Sequence, residues 1–289
     1  MANAAVIRTR FPRTVSGLDR VIGGPGRVLE AFGEMVTFAV SSVGRIPFTL
    51  SRYRAETVRL IAQIGMGTGA LAVVGGTVVI VGFVTLSGAS LVAIQGFASL
   101  GNIGVEVFTG FFSALVNVRI AGPVVTGIAL AATVGAGATA ELGAMRISEE
   151  IDALEVMGID SVAFLASTRL IAAIVVILPL YALAMVMAFL SPQLVTTVIY
   201  GQSSGTYNHY FQTFLRPDDV FWSFVEAVII AVIVMITHCY YGFTASGGPA
   251  GVGESVGRSM RFSLVGVVVV AMFASLALYG VDPNFNLTV

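Results

Sequence analysis

The sequence predicts an all-α integral membrane protein, with an N-terminal interfacial amphipathic helix, about five transmembrane helices, and a short acidic helix between the second and third. Three observations carry this reading. First, 56% of the 289 residues are hydrophobic and 11% are charged, at a mean hydropathy of +0.93; a soluble domain carries about 25% charge. Second, the charges cluster and leave five charge-free runs: Leu60–Val105, Ile120–Ala140, Leu170–Leu215, Ala227–Gly253 and Phe262–Val281. A helix needs about 20 apolar residues to cross a bilayer. Third, the arginines are unevenly placed: nine of the fifteen precede the first run, which puts that segment in the cytoplasm.

The elements follow in order. The first 27 residues carry Arg8, Arg10, Arg13, Asp19, Arg20 and Arg27 with no apolar core between them, so no secretory signal is expected. Over Arg27–Gly44, Val28, Leu29, Phe32, Met35, Val36, Ala39, Val40 and Val43 recur at helical spacing. Beside nine arginines this reads as a helix in the headgroup plane, broken at Gly44-Arg45-Ile46-Pro47. Spans are expected at 61–92, 119–145, 163–191, 219–243 and 260–281. Leu86–Asn102, broken by Gly, Ser, Gln and Asn, reads as the end of the first span followed by a re-entrant piece. GQSSGTYNHYFQTF after Tyr200 reads as a wet external loop holding a solvated His209. Five crossings place the loops with Arg146, Arg258 and Arg261 inside, and the tail DPNFNLTV outside.

In the second span Gly127, Ala131, Gly135, Thr139 and Gly143 fall four apart. Close backbone approach helps helices associate in lipid, so this ridge belongs at the centre of the bundle or at a dimer interface.

Several function classes are excluded. A net charge of −1 argues against nucleic acid. Cys239 is alone, so it makes no internal disulfide, and no His/Cys metal spacing exists. Gly248-Pro-Ala-Gly-Val-Gly253-Glu254-Ser255 matches a phosphate-binding loop except at its lysine, which Glu254 replaces. The chain has no lysine at all, so no P-loop ATPase is built here, and the segment reads as a flexible cytoplasmic turn. Two isolated histidines make a lipid-modifying enzyme a poor fit. His238 and Cys239, adjacent in sequence, face different ways. Glu226, inside the fourth span, is a candidate either for a bundle hydrogen bond or for the substrate path; Glu141 lies near the cytoplasmic end of the second span.

The densest charge lies in Arg146–Asp160, RISEEIDALEVMGID. With Ser148 as N-cap and Glu149 and Glu150 in the first turn, Ile147, Ile151, Leu154 and Gly158 share one face, while Glu149, Asp152 and Glu155 take the other. The pattern fits a helix over about 147–158, parallel to the membrane, suited to dock on a soluble motor. A solvated connecting loop fits it equally well on periodicity alone.

Arg119-Ile-Ala-Gly122-Pro123-Val124, Ala140-Glu141-Leu142-Gly143-x-Met145-Arg146 and Glu149-Glu150-Ile151-Asp152-Ala153-Leu154-Glu155-x-Met157-Gly158-x-Asp160 together resemble the MlaE/YrbE permeases, membrane subunits of ABC-type lipid transporters that work with MCE proteins. Arginine without lysine makes the chain look most like a YrbE subunit of a mycobacterial Mce complex. The resemblance implies residues 1–60 as an Arg-rich cytoplasmic segment and 61–289 as a permease domain in the plasma membrane. It implies a coupling helix holding Glu149, Glu150, Ile151, Asp152, Leu154, Glu155 and Met157, which docks on a cytoplasmic ABC ATPase dimer that binds ATP and Mg. It further implies pairing with a second YrbE-type permease chain, an MCE protein ring on the outer face, membrane lipids as cargo, and no cofactor on this chain. A structural anchor for that ring and an ion-coupled secondary transporter are the alternatives. The sequence departs from the family at Ile120, where an acid is usual, and at Thr133, where an arginine is usual, as if a charged pair had been replaced as a unit.

Overall fold

The computed structural model describes residues 30, 32–66 and 76–279. The arginine-rich start, residues 67–75 of the expected first span, and the tail from 280 lie outside the described residues. A helix over 32–44 (α1) leads through a turn at Arg45 into Ile46–Arg52 (α2), where Pro47 sits in the first turn. The expected break falls there because proline is tolerated where backbone N–H groups lack helical partners. Next come Arg54–Met66 (α3), Thr77–Gly101 (α4), Glu106–Ile147 (α5), Glu150–Val156 (α6), Val162–Ile199 (α7), Ser204–Phe214 (α8), Pro217–Phe243 (α9) and Gly248–Tyr279 (α10). Among the described residues there is no strand, and α4, α5, α7, α9 and α10 are long and apolar enough to cross a membrane. The protein is an all-α multi-pass membrane protein.

Residue contacts fix the directions. Gly82 faces Leu183 and Ser90 meets Ser191, so α4 and α7 run parallel. Arg119 meets Asp219, Gly127 faces Ile230 and Gly135 faces His238, so α5 and α9 run parallel. α10 runs opposite to both, with Val267 at Gly127 and Val252 at Gly143. The bundle therefore has a near end, formed by Arg45, α6 and residues 244–247, and a far end, formed by residues 102–105 and α8. α9 is central, packed on α5, α7 and α10.

Five expectations need correction. The piece after Leu86 is not re-entrant: α4 continues to Gly101, Ser90 Oγ donating to the Leu86 carbonyl at 2.9 Å within the helix, and Gly96 leaves room for the Phe112 ring. The second span starts at Glu106 rather than 119, because the Arg119 charge is cancelled by Asp219 instead of lying in a loop. The wet loop contains α8, which buries Tyr207 and Phe211, one turn apart, against Ala114; His209 is exposed on it. The glycine-rich turn after Gly242 is short: only 244–247 leave the helical path, and Gly248–Ser255 forms the start of α10. The third span runs on to Ile199 through Pro179 and Pro192, proline being tolerated inside membrane helices.

α1 packs one side on α9. Phe38 contacts the rings of Tyr240 and Phe243, and Tyr240 donates to Glu34 Oε2 at 2.9 Å. Its other side exposes Phe32, Val36, Val40 and Val43, a stripe at helical spacing.

Candidate functional site

The near end carries the candidate site. α5 ends at Ile147, and the chain turns there before α6 begins at Glu150. Glu149 makes the turn in the left-handed conformation (φ 61°), the one non-glycine residue with positive φ among the described residues. For an L-residue this costs about 1–2 kcal/mol, and such strain clusters at functional positions. Ser148 is not the N-cap expected. Its hydroxyl donates back to the Ala144 carbonyl at 2.9 Å and lies 3.0 Å from Glu150 Oε1.

The seven-residue α6 that follows is shorter than the 147–158 expected. Ile151 is its anchor, 2% exposed in the main core, with Leu154 packed beside it. Three polar ties clasp it. Arg146 Nη1 reaches Asp152 Oδ1 at 2.5 Å, Ser161 Oγ donates to Glu155 Oε1 at 2.6 Å, and Arg45 Nε reaches Asp160 Oδ2 at 2.6 Å. Exposed ion pairs contribute about 0–1 kcal/mol, so these ties set position more than stability. Gly158, at φ 75°, ends the helix. Glu149, Glu150, Asp152 and Glu155 are exposed, and so is an apolar tip: Val156 is 90% and Met157 66% exposed. Among the described residues no His/Cys/Asp/Glu group is placed to hold a metal ion.

The small-residue ridge faces inward. Gly127 abuts Ile230 and Val267, Ala131 is fully buried, Gly135 lies under the His238 ring, and Gly143 abuts Val252. Thr139 Oγ1 lies 2.7 Å from His238 Nδ1 and 3.1 Å from Ser259 Oγ. All five are buried inside the bundle. Glu226 is 3% exposed, and its Oε1 has no hydrogen-bond partner among the described residues. It lines neither of the two cavities beside α3. Cys239 is buried beside His238.

A further ion pair is not expected from the sequence. Arg169, 4% exposed, binds Glu141 of α5 at 2.9 Å. Arg169 follows an uncharged stretch from Ser161, and a lone arginine bordering an apolar run was the available signal. Ile120 and Thr133 do not form a replaced pair within the chain. They lie thirteen residues apart on the continuous α5, about 20 Å at 1.5 Å per residue.

Comparison with known proteins agrees with this architecture. The family model described as Permease MlaE matches residues 66–277. The chain is 31% identical over 176 residues to the chloroplastic protein TRIGALACTOSYLDIACYLGLYCEROL 1 of Arabidopsis thaliana, covering 61% of this chain and half the length of that relative. It is 30% identical over 176 residues to a probable ABC transporter permease protein of Rickettsia bellii, covering 61% of this chain and 68% of the relative. To the Rickettsia felis protein of the same description it is 28% identical over 217 residues, covering 75% and 79%. With a family model matching from α3 into α10, the chain belongs to the MlaE permease family of ABC transporter membrane components.

Proposed function

We propose that this chain is the non-catalytic permease subunit of an ATP-driven, MCE-type lipid importer of the YrbE kind. The near end faces the cytoplasm of a plasma-membrane protein, N-terminus inside and C-terminus outside. A cytoplasmic ABC ATPase dimer binds ATP and Mg and receives α6. An MCE ring stands on the far end. A second YrbE-type chain packs on the apolar face of α10, where Phe262, Val265, Val268, Met272, Phe273 and Leu276 are exposed. The arginine distribution supports this orientation, and the lack of any lysine supports a separate ATPase.

The observation that carries the reading is α6. It is anchored by the buried Ile151 and clasped by Arg146, Ser161 and, through Asp160, Arg45, yet it presents carboxylates and the Val156–Met157 tip outward. A connecting loop has no need to pin an exposed apolar tip on a buried anchor. A push on that tip passes through Ile151 into α5, α7 and α9, which share its core.

The test has two steps. The chain, tagged at its N-terminus and purified from native membranes in mild detergent, is expected to bring an ATPase, a second permease chain and MCE subunits. In that complex Glu150→Arg with Val156→Asp is expected to abolish lipid-stimulated ATP hydrolysis while the permease stays folded. Recovery of the chain without an ATPase, or full stimulation in the double variant, overturns the reading.

A further inference from the structure

A cavity of about 180 Å³ opens between α3, α4 and α5. Its apolar walls are Leu60, Ile64, Val134 and Ala138, and Glu141 and Arg169 supply its charge. The two charged groups are unequal. Arg169 is 4% exposed and held by its own helix, Nη1 donating to the Leu165 carbonyl at 3.0 Å. Glu141 is 43% exposed and pairs with Arg169 at 2.9 Å. The guanidinium has five N–H donors, more than those two acceptors use. Gln63, also on the wall, makes no side-chain hydrogen bond among the described residues. Glu141 has a second cation within electrostatic reach, Arg59 on α3, itself paired with Glu56 at 2.6 Å.

We infer that this cavity is a binding site for the acid group of a membrane lipid, carboxylate or phosphate, which pairs with Arg169 and displaces Glu141 as its counter-ion. A buried arginine cannot be left without a negative partner. A ligand acid satisfies that need charge for charge, while the displaced carboxylate is already partly exposed and near Arg59. Depth agrees with a headgroup site. Glu141 lies six residues inside the end of α5 and Arg169 seven inside the start of α7, each about 10 Å by helix rise, at the border of headgroups and chains. Size agrees as well. The cavity is below the roughly 300–1,000 Å³ of a site that encloses a whole drug-sized ligand, so it takes a headgroup and its first carbons while the chain stays in the bilayer. The inference needs only that the chain resides in a membrane and does not rest on transport.

The test uses the full chain in phosphatidylcholine nanodiscs, doped separately with oleic acid, phosphatidylglycerol or oleyl alcohol, or bathed in inorganic phosphate. Native mass spectrometry counts the molecules retained. Oleate is expected to exceed oleyl alcohol about tenfold or more, the scale of hydrogen bonds to a charged group. Retention of oleate alone identifies a fatty acid site; retention of phosphatidylglycerol as well identifies a site for acidic headgroups in general. Arg169→Gln should fall to the alcohol level. Glu141→Gln, which removes the competitor, should raise retention about threefold or more, a change that misfolding cannot imitate. Equal retention of acid and alcohol, an unchanged Glu141→Gln, or binding of phosphate with neither lipid overturns the inference. No ATPase is present, so failure here leaves the transport reading intact, and failure of that reading leaves this one.

Discussion

Arg119 of α5 donates twice to a single carboxylate oxygen of Asp219 at the start of α9, from Nη2 at 2.8 Å and Nε at 3.2 Å, with the two side chains 10% and 9% exposed. The pair joins the far ends of two parallel spans, and it lies in a π-helical turn of α5, Asn117–Ala121. Removing Arg119 takes from the mostly buried Asp219 carboxylate the guanidinium that neutralises it, at a cost of about 3–5 kcal/mol. Arg119→Met is therefore expected to lower the melting temperature of the detergent-solubilised chain sharply. Arg119→Met combined with Asp219→Leu should recover most of the loss, since an apolar pair leaves no charge stranded. A double variant no better than the single one would show that the pair matters for more than its own neutralisation.

Gly135 and Gly137 lie two residues apart on α5 and should respond oppositely to alanine. A Cβ on Gly135 would come within 2.5 Å of His238 Cδ2 and 2.6 Å of Nε2, whereas one on Gly137 meets nothing within 4 Å. Gly135→Ala must push the imidazole off Thr139 and Ser263, its partners at 2.7 and 3.2 Å. Overpacking of that kind costs about 1–3 kcal/mol. Gly137→Ala gains up to about 1 kcal/mol of helix propensity. Melting of the two variants side by side checks both signs, and equal shifts would refute the contact described here.

What the sequence disclosed depended on how local each signal was. The fourth span, expected at 219–243, runs Pro217–Phe243, because an uninterrupted apolar run needs no partner to be recognised. The short acidic helix is one of two readings that its periodicity allows, and its left-handed start at Glu149 is not legible at all, since nothing in the residue type favours that conformation. The second span began 13 residues before the expected 119 because Arg119 is neutralised by a residue 100 positions away. The ridge from Gly127 to Gly143 revealed close packing, but its partners on α9 and α10 came only from the fold. The Glu141–Arg169 pair was hidden for the same reason.

Strain at Glu149 has a measurable sign. Glycine adopts positive φ without penalty, so Glu149→Gly should relieve up to about 1 kcal/mol, less the extra freedom glycine gives the unfolded chain. The chain is expected to melt at an equal or slightly higher temperature, whereas Glu149→Val, β-branched and poorly tolerated at that φ, should melt lower. Val and Gly variants that melt alike would show that the turn relaxes freely.

Asp160, in the link between α6 and α7, joins the start of α7 to the turn at Arg45, and its charge state can be read by pH. Burial pushes its pKa up, but the N–H groups of Ala163 and Val162 and the Arg45 guanidinium outweigh that, so the carboxyl lies below its ordinary 3.8. A carboxylate depressed on folding adds stability above its unfolded pKa and loses it as pH falls through the lower folded value. The melting temperature of the wild-type chain should therefore exceed that of Asp160→Asn by a constant margin from pH 7 to about 5. The margin should then narrow below about pH 4, the unfolded value for aspartate. Arg45→Gln should shift that narrowing toward higher pH, because one of the groups holding the carboxylate ionised is gone. A margin that stays flat down to pH 3 would mean that Asp160 acts at the start of α7 as a neutral cap, and that the tie to α1 and α2 is geometric rather than electrostatic.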